Sequence, residues 1–102
     1  MPRFHRTIPV DDYIIDVLLR DLVGHDRHPA AFLVYLYLYR QAEQRRWRKV
    51  PASLRDVAEG TGLSKSAVQI AFATLQRRQL IKTYRAYRTA MPTHQVLRHW
   101  RS

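Results

Sequence analysis

A chain of 102 residues fits one domain with a real core, and with no cysteine it excludes disulfides, thiolate zinc sites and cysteine nucleophiles. The formal net charge is +10, unevenly placed: residues 1–59 carry ten Lys/Arg against eight Asp/Glu, and residues 60–102 carry eight Lys/Arg and no acid at all. Such a one-signed half attracts a polyanion and repels a basic partner.

No stretch reaches the ~20 apolar residues of a membrane span. The longest apolar run, Ala30 to Tyr39, contains three tyrosines, and the basic start Met1-Pro-Arg-Phe-His-Arg leads into no apolar signal core. The expectation is a soluble cytoplasmic protein with no membrane partner. Residues 1–9 read as a basic N-terminal arm, and residues 10–102 as a single folded domain.

Asp11 and Asp12 suit the start of a first helix, which Ile14, Val17, Leu18 and Leu22 continue at helical spacing until Gly24. Pro29 suits the first position of a second helix, running to about Arg46. Phe32 to Tyr39 make it apolar nearly all round. Either it lies at the centre of the core, or a second copy covers one side, giving a homodimer through helix 29–46. Its end turns basic through Arg40, Arg45, Arg46, Arg48 and Lys49.

Val50-Pro51 breaks the pattern. Ser53-Leu-Arg-Asp56 resembles a capping box for a short third helix, ending near Glu59. Gly60-Thr-Gly62 is read as a tight turn, with glycine supplying the positive φ that a rapid reversal requires. Ser64 caps a fourth helix, 64–78, whose buried stripe is Val68, Ala71, Phe72 and Leu75. Strand-like texture begins at Leu80-Ile81, passes through a basic segment with Arg85, Tyr87 and Arg88, and returns at Gln95 to Trp100. The predicted fold class is mainly α with a small β-hairpin, about four helices plus two strands.

The pattern Ala58-x-x-x-Gly62-Leu63-Ser64-x-x-x-Val68, followed by Ala71, Leu75 and Leu80-Ile81, resembles the winged helix-turn-helix of bacterial transcription regulators. It is most similar to the gluconate-repressor-type and multiple-antibiotic-resistance-type DNA-binding domains. The resemblance spans about residues 30–100 and is firmest over 53–81. It implies double-stranded DNA as partner, with helix 64–78 in the major groove and the hairpin wing on the minor groove or backbone. It also implies a nucleoid-associated location when the protein is bound.

The buried stripe of the fourth helix leaves Lys65, Ser66, Gln69 and Ile70 facing out. Lys65 suits a phosphate or guanine edge, and Gln69 suits adenine N6/N7. Ser66 suits a phosphate or base, and Ser64 caps the turn whose free N–H groups favour phosphate. Ile70 either touches a thymine methyl or packs on the wing. Thr74 and Arg77 are expected over the DNA backbone. On the wing, the resemblance implies that Arg85 and Arg88 grip phosphate or the minor groove, with Tyr87 between them; the tip lacks the glycine usual in related wings. Tyr84 and Tyr87 either stack on bases or pack in the hairpin. His25, His28, His94 and His99 are read as surface or capping residues rather than metal ligands. No nucleophile motif and no glycine-rich phosphate loop occurs, so no enzyme activity, cofactor, metal or small-molecule domain is expected. A nonspecific or replication-related DNA binder and a protein-interaction module are the alternative functions.

Overall fold

The computed structural model describes residues 6–101, so most of the expected arm, residues 1–5, lies outside the described residues. The domain is mainly helical with a three-stranded antiparallel sheet. Its elements are an N-terminal helical segment with π-type winding at Ile14–Leu18 and Arg20–His25, then α1 (Pro29–Gln44), β1 (Val50–Pro51), α2 (Leu54–Thr61), α3 (Lys65–Arg77), β2 (Ile81–Tyr84) and β3 (Thr93–Val96). The buried residues Ile14, Leu18 and Leu22 of this segment are spaced by four and form its core-facing side.

α1 runs through the middle. Ala31, Val34, Tyr35, Leu38, Tyr39 and Ala42 are fully buried on it. The chain's own elements cover this helix, and among its large apolar side chains Leu33 is the one left exposed, at 46%. The Tyr35 hydroxyl donates to the Leu97 carbonyl at 2.9 Å, which satisfies the one polar atom that its burial would strand. Burial raises the pKa of both Tyr35 and Tyr39. α1 stops at Gln44, two residues before the expected end. Arg46 takes the left-handed conformation (φ 56°), the Trp47 N–H returns to the Ala42 carbonyl at 2.7 Å, and the Arg46 N–H to Glu43 at 3.2 Å. These paired bonds form a Schellman end without its usual glycine. α3 ends the same way, with Gln79 at φ 59° and the Leu80 N–H on the Leu75 carbonyl at 2.8 Å.

The sheet order is β1-β3-β2, with Val50 opposite His94 and Ile81 opposite Val96. The expected two-stranded hairpin is thus three-stranded, and the Val50-Pro51 break is its third strand. Two residues carry no alternation to read; pairing with β3 makes them a strand, and Pro51 is tolerated because β1 is an edge. The hairpin strands are also shorter than expected, leaving 85–92 as loop. Residues 97–101 are not strand. Trp100 Nε1 donates to Asp11 Oδ2 at 2.7 Å, Arg101 grips both oxygens of the same carboxylate at 2.5 and 2.8 Å, and Trp100 stacks on Tyr13 at 4.6 Å. Asp11 therefore ties residues 100–101 to the start of the fold, and these bonds, Arg101's first, hold its carboxyl well below the usual range.

Gly60 lies inside α2 rather than in a turn, and its missing side chain makes room for the Tyr37 ring of α1, into which a β-carbon would run. Gly60→Ala gains about 1 kcal/mol of helix propensity but meets overpacking of about 1–3 kcal/mol. The expected outcome is net destabilisation in urea titration, reversed in sign when Gly60→Ala is made in a Tyr37→Ala background.

Candidate nucleic-acid interface

The α2–α3 unit is fixed by four local devices. Ser53 Oγ accepts from the Asp56 N–H at 3.1 Å while Asp56 Oδ2 accepts from the Ser53 N–H at 2.9 Å, completing the capping box with the shorter acid. The Ser53 N–H bond in turn lowers the Asp56 pKa. Gly62 sits at φ 80°, its N–H on the Ala58 carbonyl at 2.8 Å. Thr61 Oγ1 donates back to the Val57 carbonyl at 2.7 Å and accepts from the Leu63 N–H at 3.3 Å. Ser64 Oγ then caps α3 by accepting from the Ala67 N–H at 3.1 Å, and it lies 3.2 Å from Ser66 Oγ.

Val68, Ala71, Phe72, Thr74 and Leu75 are the buried side of α3. Lys65, Ser66, Gln69, Ile70, Ala73, Gln76 and Arg77 are exposed. Thr74 therefore does not belong to the outward face: it is 4% exposed, and its Oγ1 pairs with His28 Nδ1 at 2.9 Å, holding α3 to the turn before α1. Ile70 does not pack on the hairpin either, being 60% exposed. Arg77 stands free in solvent at the far end of the helix, away from the grooves described next.

The β2–β3 loop comes alongside α3. Gln69, Phe72, Ala73 and Gln76 of α3 line a groove of about 540 Å³ whose other wall is Thr83, Arg85, Pro92 and His94. A second groove of about 480 Å³ lies between Ser53, Arg55 and Lys65 on one side and Arg85, Thr89 and Met91 on the other. Arg85 lines both, so the expected helix residues Lys65 and Gln69 meet the expected loop arginine, and no acid lines either groove. Arg85 Nη1 also donates to the Ala90 carbonyl at 2.9 Å, bracing the loop. Tyr87 (66% exposed) and Arg88 stand on the outer part of that loop. Tyr84 is half-buried on the sheet with the Lys49 ammonium over its ring.

Three contributions escaped the sequence reading. Gln76 and Ala73 extend the groove at the spacing Gln69 already implied. Arg78 makes a two-pronged pair with Asp26 at 2.5 and 2.9 Å, so it is a structural cation within the acid-free half. His94, expected at the surface, is fully buried. Its Nδ1 lies 3.0 Å from Thr83 Oγ1, its Nε2 is 2.9 Å from the Ala52 carbonyl, and its ring lies against Phe72 at 4.7 Å. The alternation His94–Val96 was the available signal. Among the described residues no group of three or more His, Cys, Asp or Glu converges on a metal position, and no helix is long and apolar enough to cross a membrane.

Comparison with protein-family models, with curated proteins and with solved structures finds no match to this chain.

His94 joins β1, β3 and α3 beneath the groove, and desolvation lowers its pKa, with nearby Arg85 adding to the effect. A base with a depressed folded pKa stabilises the fold fully above its ordinary value near 6.5 and loses that contribution as pH falls toward the lower folded value. Urea unfolding is expected to show a drop in stability between about pH 7 and pH 5 that is smaller in His94→Gln. An equal drop in both would remove His94 as its source.

Proposed function

We propose that the chain is a winged helix-turn-helix protein that binds double-stranded DNA as a sequence-specific regulator of transcription. α3 enters the major groove by its N-terminal half, and the β2–β3 loop lies on the adjacent minor groove or backbone. The observation that carries this reading is the meeting of Lys65 and Gln69 with Arg85 along two joined grooves lined by no acid. A cationic helix face beside a cationic loop matches the negative charge of a duplex, and Gln69 offers an amide of the kind that pairs with adenine in a major groove. Ser64 and Ser66 at the helix start suit a phosphate, Ile70 offers an exposed apolar contact for a thymine methyl, Tyr87 and Arg88 extend the loop side, and Arg77 lies farther along α3 as a backbone contact outside the grooves.

Phosphate contacts supply affinity and the 65–70 face supplies base choice. With about 4–6 phosphates neutralised, log K should fall against log[salt] with a slope of about −4 to −5. Lys65→Gln and Arg85→Gln should each weaken binding on all sequences and flatten the slope by about 1. Affinity indifferent to salt would overturn the reading.

Gln69→Ala is expected to relax preference at one base position at a cost of about 1–3 kcal/mol, read by selection from a random duplex library. Uniform weakening on every sequence would assign Gln69 no reading role, and a wild type that selects no sequence would make the chain a nonspecific binder.

A further inference from the structure

The sheet has a second cationic side. Pleating turns Ile81, Thr83, His94 and Val96 toward the core, where Phe72 of α3 meets the His94 ring. Lys82, Tyr84 and Gln95 therefore face away from α3. Lys49, next to the inward Val50, reaches the same outer side: its ammonium stands 3.7 Å from the Tyr84 ring centroid, and that of Lys82 stands 5.4 Å from it. One aromatic ring thus holds two ammonium groups, and no acid pairs with either among the described residues.

The turn that delivers Lys49 adds more charge. Arg45, Arg46 and Arg48 are exposed and lack an acidic partner among the described residues. The turn is braced: Arg45 Nε donates to the Lys49 carbonyl at 3.2 Å, Arg48 Nε to the Arg45 carbonyl at 3.0 Å, and Gln95 Nε2 to the Trp47 carbonyl at 3.0 Å. Arg98 lies over the Trp47 ring at 3.6 Å. Like charges gathered this closely repel within a Debye length of about 8 Å, and an anion relieves the repulsion. A run of cations from the turn across the sheet suits a repeating polyanion better than a single small ion. The Lys49 and Lys82 ammonium groups stand on the Tyr84 side of the sheet and α3 on the His94 side, while at the sheet edge Lys82 also borders a groove with Gln76 and Gln79.

We propose that this outer face binds the phosphodiester backbone of a second duplex segment, so that one chain bridges two duplexes. The first duplex rests on the reading of α3 above. In the test, an immobilised short duplex, too short to bend round the protein, is loaded with protein, washed, and offered a second, labelled duplex; light scattering records the oligomeric state. The wild type should retain the labelled duplex. Lys49→Gln/Lys82→Gln should still load onto the first duplex but retain at least about tenfold less of the second. Lys49→Arg/Lys82→Arg, which keeps the charge, should restore it. Wild type that loads without retaining a second duplex overturns the proposal. So does full retention by the glutamine variant, which would place bridging in self-association, or loss of first loading in that variant, which would merge the two faces into one site. Wild type that loads on no duplex overturns the reading of α3 and the bridge with it.

Discussion

The burial of α1 is the constraint on which the other elements depend. A helix that is apolar on nearly every side must be enclosed on nearly every side. The N-terminal segment, α2, α3 and the sheet each bury their own apolar face against it, so their relative positions are set by one shared surface. Close approach is enforced locally as well. The tyrosine of α1 that lies over Gly60 brings α2 in to a distance no side chain there permits. The Tyr35 hydroxyl bonded to Leu97 fixes where the chain leaves β3. The grooves beside α3 are consequences of this enclosure, since α3 and β3 both pack on α1.

Much of this was legible in the residues. Pro29, Ser53, Gly62 and Ser64 are local signals with local causes, and each stands in the structure where its chemistry predicts. The stripe Val68, Ala71, Phe72 and Leu75 fixed the outward face of α3 by subtraction. What was not legible was decided by long-range partners. Thr74 reads as an outward helix residue until His28 reaches it from 46 positions away. Val50-Pro51 becomes a strand through β3 alone. The end of α1 falls two residues short of the expected one because Arg46 adopts the conformation that glycine usually marks. His94 belongs to the strand through its pairing with Val50 and Thr83, partners 44 and 11 positions away.

The charge asymmetry is also sharpened. Eight cations and no acid in residues 60–102 suggest a uniformly free field. Two of those cations, Arg78 and Arg101, close bidentate pairs with Asp26 and Asp11 from the first third of the chain. The acids of the first half thus act partly as internal counterions for the second. Among the described residues, what remains unpaired there is concentrated on α3, the β2–β3 loop and the sheet, while the cluster at 45–49 adds positive charge from the half that counts as nearly neutral.

The loop between β2 and β3 has no glycine, yet it is closed by its own bonds: the Ala90 N–H on the Tyr87 carbonyl at 3.0 Å and Arg85 on the Ala90 carbonyl at 2.9 Å. A tip held in this way has surrendered its conformational freedom during folding. Whatever partner meets it faces a smaller entropic cost on association, because the ordering has already been done. The bracing bond engages one of the five N–H donors of Arg85, leaving the others to recognise a ligand from a guanidinium whose place is already set.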